Sequence, residues 1–587
     1  MALGPWALEA GREGSRLFGS RSFESSSSSY ADAVIGVGIL ALISLAVAWA
    51  THKPASTGAP AAISLAYSRL PIDALFSWLR MAAAYAISLV FTMVYAYSAA
   101  HNRRAERILI PLLDILQSVP VLSFLPVVLL AFIHLVPHSS LGVNLASIVL
   151  IFTGQVWNMV FALYNGLITV PRDLRESALS LQLSPWQRFR TLELPYGMVG
   201  LVWNSMMSWA GGWFFLMAAE MFSLNDHRYR LRGLGSYLQT AANQSRWGHE
   251  IVALLTLIGV IVAMDQLVWR PLLAWADKFK LEMVEGDQQF HSVVLVILRR
   301  SRLAQWMGTS LLVPLVEAVD AWLGVGLPRW RRQAAWLGSL LGLARTLATA
   351  GTIFLLFSAL EDGLRLMSHL SANTVSLIAL AVGATLIRVV VSLAFSVAWA
   401  VPVGVLIGLS PRLAKLLTPI TQIAASVPAT ALFPGLVALL FRLGGGLTFA
   451  SVLLMVLGTQ WYILFNVIAG ASAIPEDLKE AARMFGLKGS RIWRTLILPA
   501  IFPYLITGLI TAGGGAWNAS IVAEYVAFRG HIYTTFGVGA MIAQDSQHGR
   551  FAALLAATSL LSITVVVINR LIWRRLYQHA TNRYSLS

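Results

Sequence analysis

The chain repeats itself once along its length, and this internal repeat restricts the possible folds more than any other feature. Apolar runs fall into two sets of six, separated by a mixed, basic stretch. Each set is predicted to form a bundle of six membrane-spanning helices. The first set comprises Ala33–Ala50, Met81–Ala99, Ile108–Leu135, Val143–Leu167, Val199–Phe222 and Ile251–Trp269. The second comprises Leu347–Leu366, Val389–Leu409, Leu416–Phe441, Thr448–Ala471, Tyr504–Tyr525 and Phe551–Ile572.

Identical residues recur at a nearly constant offset between the two sets. The offset is 308 positions as far as Pro126 and Pro434, and 304 positions after a four-residue loss near His138–Leu141. Because both sets have six spans, the repeats have the same topology and are parallel, related by an axis along the membrane normal. Two such bundles that face each other form a pathway at their shared interface. The matched residues include Arg80 and Arg388, Ser118-Val119-Pro120 and Ser426-Val427-Pro428, Gly154 and Gly458, Trp157 and Trp461, Glu220 and Glu524, and Gly233 and Gly537.

Composition agrees with a membrane protein. Apolar residues make up 57% of the chain and charged residues only 12%, whereas a soluble domain has about 25% charged residues. The fold class is therefore predicted to be all-α and polytopic, with about twelve transmembrane helices. The net charge of +16 is typical of basic cytoplasmic loops and does not indicate a nucleic-acid partner. The chain has no cysteine, which excludes disulfides, Cys-ligated metals and a Cys nucleophile.

The same pattern predicts five segments. Residues 1–32 lack the organisation of a signal peptide and are expected to be a disordered cytoplasmic tail. Residues 33–270 form the first repeat, 271–345 a cytoplasmic linker with surface-lying amphipathic helices, 346–577 the second repeat, and 578–587 a short tail. A hidden extra span at Leu311–Leu327 is the alternative for part of the linker.

Lysine and arginine predict the orientation. The N-terminal tail, the linker and the C-terminal end are all basic, as are the loops after the second and fourth spans. Both termini are therefore expected on the cytoplasmic side. One loop disagrees with this rule, because Asp226–Arg232 carries three arginines on the predicted outer side.

The loop after the fourth span of each half is the most informative segment. It is PRDLRESALSLQLSPWQRFRTLELP at Pro171–Pro195 and PEDLKEAARMFGLKGSRIWRTLILP at Pro475–Pro499, with 11 identical positions among 25. Proline and acidic residues at the start favour a helix, and Gly486 can end that helix. Each loop is thus predicted to form two short cytoplasmic helices. A basic loop that only enforces topology is the alternative, and duplication of the detailed pattern argues against it.

These loops resemble the EAA loop of permease subunits in binding-protein-dependent ABC importers. The stretch from about Thr385 to Tyr577 resembles the nitrate/sulfonate/taurine branch, through LIRVVVSLAFSVAWAVPVGVLIGLSPRL, SVPATALFPGLV and GGGAWNASIVAEY. The first half is similar more weakly, from about Leu79 to Leu273. There Ser177 and Gln182 replace the family's Ala and Gly, which puts the turn of the first loop in doubt. The resemblance implies two fused permease units with the MetI-like permease fold.

The resemblance also implies partners and site residues. Each EAA loop would dock on one of two cytoplasmic ABC ATPase subunits, and an extracytoplasmic binding protein would deliver a small-molecule substrate to this bacterial inner-membrane protein. Glu176 and Glu480 would pair with a basic partner residue, and the other loop residues would pack or turn. The chain itself has no GxxxxGK[ST] phosphate loop, so it is not expected to be an ATPase. The remaining coupling residues are Ala178, Leu183, Ala481, Ala482, Phe485, Gly486 and Leu487.

Four ionisable residues are candidates for the pathway: Glu220, Glu524, Arg80 and Arg388. Such residues at membrane depth are functional candidates by default. The alternatives are a structural hydrogen bond for each glutamate and a snorkelling interfacial side chain for each arginine. The glycines of the fifth spans either line the pathway or allow close helix packing. No catalytic triad, metal cluster or cofactor site is expected.

Two other classes of protein remain as rivals. An ion-driven secondary transporter of two six-helix halves would need membrane-buried carboxylates, but it gives no reason for a repeated EAA-like loop. A membrane enzyme or scaffold lacks a constellation of catalytic residues. For the importer, the family branch makes a small anion such as nitrate, a sulfonate or taurine the expected substrate.

Overall fold

The structure is a computed structural model. It describes residues 63–118, 120–125, 140–221, 231–279, 293–301, 363–442, 446–528 and 531–584, with a few single positions between these ranges. The predicted first span of the first half, Ala33–Ala50, lies outside the described residues, as does most of Leu347–Leu366, of which only residues 361 and 363–366 are described. The N-terminal tail, the last residues 585–587, most of the linker and most of the loop Asp226–Arg232 also lie outside them.

The described helices of the first half run from residue 67 to residue 300. A 3-10 turn at Tyr67–Arg69 leads into the first helix, and others follow at Val121–Phe124 and Asp277–Phe279. The α-helices are α1 (Leu70–His101), α2 (Arg103–Ser118), α3 (Ser140–Ile168), α4 (Arg172–Ser180), α5 (Pro185–Arg188), α6 (Leu194–Met221), α7 (Leu234–Asn243), α8 (Trp247–Met264), α9 (Arg270–Ala276) and α10 (Val293–Arg300).

The second half follows the same order and adds one hairpin. Strands β1 (Tyr525–Phe528) and β2 (His531–Thr534) pair antiparallel, and the all-α prediction did not include them. The helices are α11 (Ala372–Leu409), α12 (Pro411–Ser426), α13 (Ala429–Arg442), α14 (Gly446–Ser472), α15 (Glu476–Met484), α16 (Ser490–Ile492), α17 (Leu498–Ala523), α18 (Val538–Gln547), α19 (Phe551–Ile568) and α20 (Arg574–Tyr584).

Membrane-spanning length is met by several of these helices. Among the described residues, seven helical segments are long and apolar enough to cross a membrane, or eight if the bent pair α12 and α13 counts as one span. Helix α6, which occupies the predicted fifth span of the first half, has 28 residues but is not among those seven, since it carries Asn204, Ser205 and Ser208. The polytopic helical fold is thereby confirmed, and twelve spans fit the chain.

Both third spans break at Ser-Val-Pro, as the prolines predict. In the second half, α12 ends at Ser426 and α13 begins at Ala429, with a bend of 78° between them. In the first half, α2 ends at Ser118 and a 3-10 turn covers Val121–Phe124. A proline lacks the N–H that would continue the helical bonds, so the same tripeptide interrupts the helix in each repeat.

In the part of the chain that the structure describes, four five-residue π-helical turns occur at two repeated places. One pair precedes the fifth-span helices, at Phe189–Glu193 and Trp493–Ile497. The other pair follows the sixth-span helices, at Asp265–Trp269 and Asn569–Trp573. A π-helical turn is rare and is found mostly at functional sites. Its presence at equivalent positions of both repeats indicates that it is part of the structure that the two repeats share.

Contacts divide the chain into two compact units. One contains residues 165–203 and the described part of 263–343. The other contains the described parts of 54–164, 204–262 and 344–587, and therefore includes helices from both repeats. In this second unit α14 packs most extensively against α11 and α17, around buried residues such as Leu454, Ile463 and Ala516.

One exception to the charge rule has a local explanation. Arg232, from the basic loop on the predicted outer side, donates a 2.9 Å hydrogen bond from Nε to Oδ1 of Asp73 on α1. Its guanidinium also lies 5.6 Å from the ring centre of Phe76. Since Asp73 is almost fully buried, this arginine serves as the partner of a buried carboxylate.

Candidate functional site

In the two EAA-like loops, Pro171–Pro195 and Pro475–Pro499, the first helix and the turn that ends it have the same backbone geometry. The second short helix starts differently, after Ser184 with φ −61° in the first loop and after Gly489 with φ +56° in the second. Each loop starts with a nine-residue helix, α4 or α15, whose N-cap is a proline. Each helix ends in the same cap, in which the N–H of Leu183 or Leu487 donates to the carbonyl of Ala178 or Ala482, at 3.2 and 2.9 Å. This six-residue closure is the Schellman motif, which requires a left-handed residue next to the helix end.

That left-handed residue is Gly486 in the second loop and Gln182 in the first. Their φ angles are +64° and +51°. The doubt about the first turn is thus resolved for its geometry, because Gln182 takes the same path as the glycine. A side chain is strained in this region whereas glycine is not. The first loop therefore keeps the shared turn at a local energetic cost.

Side-chain exposure differs among the predicted coupling residues. Ala178 and Ala482 are each 5% exposed, so they pack within the chain. Glu176 and Glu480 are exposed, and Leu183, Ala481 and Leu487 are intermediate. Apolar side chains are left exposed around both turns: Met484 at 88%, Phe485 at 82%, Leu181 at 73% and Leu179 at 59%. Of these four, only Phe485 was predicted; Leu179, Leu181 and Met484 were not, although all three lie beside the turn.

The four predicted pathway residues form two buried clusters. The first cluster is Ser77, Arg80, Glu220 and Gly235. Glu220 Oε1 accepts from Arg80 Nη1 at 2.7 Å and from Ser77 Oγ at 2.8 Å, and Oε2 accepts from the backbone N–H of Gly235 at 2.7 Å. Glu220 is fully buried and Arg80 is 3% exposed.

The second cluster repeats the first with Thr385, Arg388, Glu524 and Gly539. Glu524 Oε1 accepts from Thr385 Oγ1 at 2.7 Å and from Arg388 Nη1 at 2.8 Å, and Oε2 accepts from the N–H of Gly539 at 2.8 Å. Each glutamate thus ties together three elements: the second-span helix, the end of the fifth-span helix, and the first turn of the short helix α7 or α18. An anionic group at a helix N-terminus is favourable.

A glycine in each half lets the carboxylate come this close. A Cβ on Gly233 would lie 2.2 Å from Glu220 Oε1, and a Cβ on Gly537 would lie 2.2 Å from Glu524 Oε2. Both distances are far below van der Waals contact. The repeat of Gly233 and Gly537 in the sequence therefore corresponds to the backbone against which each glutamate carboxylate packs.

The clusters differ on the far side of the arginine. Arg80 donates from Nε to Asn144 at 2.7 Å. In the second half Thr448 occupies the position of Asn144, and Arg388 Nη2 instead donates to Thr535 Oγ1 at 3.0 Å, while Arg388 Nε is buried without a partner. Sequence reasoning found all four charged residues but did not pair them. The signal was available, because an arginine and a glutamate recur together in both repeats.

Among the described residues, no three His, Asp or Glu side chains come together as they would to hold a metal ion. The two loops instead offer exposed apolar side chains with which another molecule can associate. The two buried clusters pair their charges internally.

Comparison with known proteins matches both repeats. Residues 88–268 and 400–578, more than half of the chain, match the family described as the binding-protein-dependent transport system inner membrane component. The chain belongs to this family. Because the match occurs twice, the protein is a fusion of two permease units of ABC importers.

Individual relatives match only part of this chain, at moderate sequence identity. The taurine transport system permease protein of Escherichia coli is 27% identical over 196 residues, which cover 33% of this chain and 68% of the relative. The bicarbonate transport system permease protein of Synechococcus elongatus is 33% identical over 144 residues, 24% of this chain and 50% of the relative. The nitrate import permease protein of Leptolyngbya laminosa is 28% identical over 191 residues, 32% and 65% respectively.

Proposed function

We propose that this protein forms the translocation pathway of an ABC importer, with both permease units supplied by one chain. Its two EAA-like loops dock on two separate cytoplasmic ATPase subunits, and an extracytoplasmic binding protein delivers the substrate. The family supports the class of transporter. The observation that carries the docking role is that both loops have the same first helix and left-handed turn, with exposed apolar side chains beside the turn.

The loop surface suits a protein partner. Large apolar side chains at 70–90% exposure are rare on a polar segment unless something covers them, and aromatic or large apolar anchors carry most of the energy of an interface. Leu181, Met484 and Phe485 are such anchors. Glu176 and Glu480 lie on the same short helices and supply the charge that a basic groove would recognise.

The substrate is proposed to be a small anion or a small molecule with an anionic oxo group. Three relatives are named for taurine, bicarbonate and nitrate, and these three compounds share a compact anionic group with three oxygen atoms. The protein is placed by this proposal in a bacterial plasma membrane, with both termini cytoplasmic as the distribution of lysine and arginine predicts.

The four buried charges are proposed to position helices. All three described hydrogen bonds of each glutamate go to groups of the same half, and the charge is neutralised by an arginine at 2.7 or 2.8 Å. A cargo would have to displace these bonds to reach either charge. The pathway role expected from the sequence stays a prediction that mutation can test.

Co-purification tests the proposed function. The full chain, extracted in mild detergent, is expected to retain a P-loop ATPase from its native host. Substitution of Phe485 and Leu181 by aspartate in one variant should release that ATPase while the permease stays folded. Transport that continues in cells depleted of ATP but requires an ion gradient would instead support the secondary transporter.

A further inference from the structure

Two contacts join the first repeat to the second in a reciprocal way. The backbone N–H of Leu122 lies 3.3 Å from Oδ1 of Asn518. Thr430 Oγ1 lies 3.5 Å from the backbone carbonyl of Phe214. Leu122 and Thr430 are equivalent in the two repeats, since they are 308 positions apart, and Phe214 and Asn518 are equivalent at 304. We call these four residues the seam.

The symmetry of the seam locates it. When residue i of one copy contacts residue j of the other, and j contacts i in return, the two contacts lie on opposite sides of a two-fold axis. In a protein made of two like bundles, a pathway between them follows that axis. Each seam contact joins the chain just after the Ser-Val-Pro break of one half to the fifth-span helix of the other. The segments that follow the two Ser-Val-Pro breaks therefore contact the fifth-span helices of the opposite halves, on either side of the axis.

Apolar packing closes the seam on the first-half side. Leu122, Leu125, Ala218 and Ala219 form a buried cluster that also includes Ile521 from the second half. In return Phe214 packs against the buried core of the second half. Thr430 is only 2% exposed and Leu122 only 3%, so these groups are shielded from water in this conformation.

The two halves bring different chemistry to the axis. The first half contributes the apolar side chains of Leu122 and Phe214, together with their backbone groups. The second half contributes an amide and a hydroxyl, Asn518 and Thr430, and also the hydroxyl of Tyr462, which lies 3.9 Å from the place where a Cβ on Gly211 of the first half would be. The polar side chains of the seam are therefore on one side only.

We propose that Asn518 and Thr430 are specificity-determining residues that hydrogen-bond the cargo when the seam opens, while Phe214 and Leu122 form an apolar wall opposite. This inference rests on the proposed function and deepens it. Opening breaks both cross-half bonds and leaves the amide and the hydroxyl without these partners, which is unfavourable unless another group replaces the lost bonds. The freed hydroxyl of Thr430 can donate to an oxygen of the substrate, whereas Asn518 Oδ1 can only accept, because Asn518 Nδ2 donates to the carbonyl of Gly514 at 3.1 Å. The opened seam therefore suits a small anion that also carries an N–H or O–H donor and that fits beside an apolar wall.

The absence of a formal charge at the seam suits transport. A pathway residue must bind well enough to admit the cargo and weakly enough to release it. A neutral hydroxyl donor and a neutral amide oxygen meet this requirement better than a buried arginine does, and the arginines of this protein are already paired with Glu220 and Glu524.

Near-isosteric substitutions test the proposal in the full chain, assembled with its ATPase and binding protein. Asn518→Leu and Thr430→Val remove the polar group and keep the volume. Each is expected to raise the KM for uptake of labelled bicarbonate or taurine, which carry an O–H or N–H donor, by roughly tenfold, the value of a hydrogen bond to a charged group. Uptake of nitrate, which has no donor, should respond to Thr430→Val alone. ATPase association should be unchanged.

Asn466→Leu and Thr421→Val are matched controls. Their side chains bond to carbonyls of their own helices, at Tyr462 and at Leu417 and Thr418, so the same chemical change is made away from the seam. They should alter KM by less than threefold. If both seam variants keep the wild-type KM, or if the controls lose as much, the assignment of Asn518 and Thr430 is wrong. A wild-type chain without ATP-dependent uptake would contradict the proposed function itself.

A cross-link provides a readout that a purely structural role would not give. The chain has no cysteine, so Leu122→Cys combined with Asn518→Cys introduces only the seam pair. Because Asn518→Cys itself is expected to raise the KM, uptake is measured at saturating substrate. A short cleavable bifunctional thiol reagent should stop the uptake of this double variant, and cleavage should restore it to its level before cross-linking. Uptake that persists in fully cross-linked protein would show that the seam need not open, and would overturn the proposal.

Discussion

The left-handed turn of the EAA-like loops allows a sharp test of docking. Gly486 has φ +64°, and apart from the glycine and its two chain neighbours no atom of the described residues lies within 4 Å of the place where its Cβ would be. A side chain there would therefore meet no clash, and the cost of Gly486→Gln comes from the backbone alone, roughly 1–2 kcal/mol. Gln182 already bears that cost at φ +51°. Gln182→Gly should remove this strain energy. The net gain is smaller by about 0.5–1 kcal/mol, because glycine has more conformational entropy to lose from the frayed loop.

The strain affects docking because the helix before the turn is short. Helix α15 has nine residues, and helices of that length are marginal without tertiary support. Strain at the cap shifts the free loop towards frayed conformations that cannot dock, so the cap energy sets the upper limit of the effect. We expect Gly486→Gln to weaken ATPase binding by roughly fivefold to thirtyfold, and Gln182→Gly to be neutral or favourable.

The assay is retention of the co-purified ATPase on immobilised permease, titrated to give Kd for each variant. Gly486→Asn is the matched control, since asparagine tolerates the left-handed region better than glutamine, and its loss should be smaller. The same assay compares Glu480→Ala with Glu176→Ala. The second loop, with its unstrained turn, is expected to lose more, on the order of 2 kcal/mol if the charge pair becomes buried. Equal losses at both glutamates together with a silent Gly486→Gln would refute the reasoning.

Three further predictions concern the clusters, the topology and the linker. Glu524→Gln leaves Arg388 buried without its counter-charge and should lower the stability of the protein by about 3–5 kcal/mol. The double variant with Arg388→Met should recover much of that loss. Thermal unfolding in detergent compares the two, and equal melting temperatures for the single and double variants would contradict this prediction. A cysteine at Ser490 should resist an impermeant thiol reagent in intact cells and react after permeabilisation, and labelling from outside would reverse the topology. Residues 1–308 and 309–587 expressed as separate chains should retain some transport, because the linker raises effective concentration; complete loss despite assembly of the two halves would show a further role.

The sequence was sufficient for the architecture because the deciding signals are periodic and repeated. Apolar length gave the spans, and the constant offset gave the two like bundles. The Ser-Val-Pro sites were candidates for breaks because proline removes a helical N–H, but proline alone does not decide the matter, since Pro402 and Pro503 lie inside continuous helices. The π-turns, the strands β1 and β2, and the short helices α7 and α18 were not predicted, since they are set by packing at the ends of the spans and leave no periodic pattern.

The candidate site was predictable in its membership but not in its connections. Arg80 and Glu220 are 140 positions apart in the sequence, and only the fold brings Nη1 and Oε1 to 2.7 Å. The seam was less accessible still, because Leu122 takes part through its backbone N–H, and a backbone group has no residue signature. Gln182 is the intermediate case. The alignment of the two loops showed that Gln182 stands where the second loop has a glycine. The sequence left open whether Gln182 adopts the strained left-handed turn or the first loop takes another path.

The strengths of the contacts indicate how the second half moves. Helix α17 follows the π-turn at Trp493–Ile497 after the second EAA-like loop, carries Asn518 at the seam, and is followed directly by Glu524. With 26 residues it is about 39 Å long, so Glu524 lies at the end remote from the loop. There the charge-assisted bonds to α11 and α18 are 2.7–2.8 Å long, whereas the seam contacts are 3.3 and 3.5 Å. Short bonds to a buried charge are costly to break and long neutral ones are not. A displacement that enters at the loop should therefore carry α11, α17 and α18 together and separate the halves at the seam.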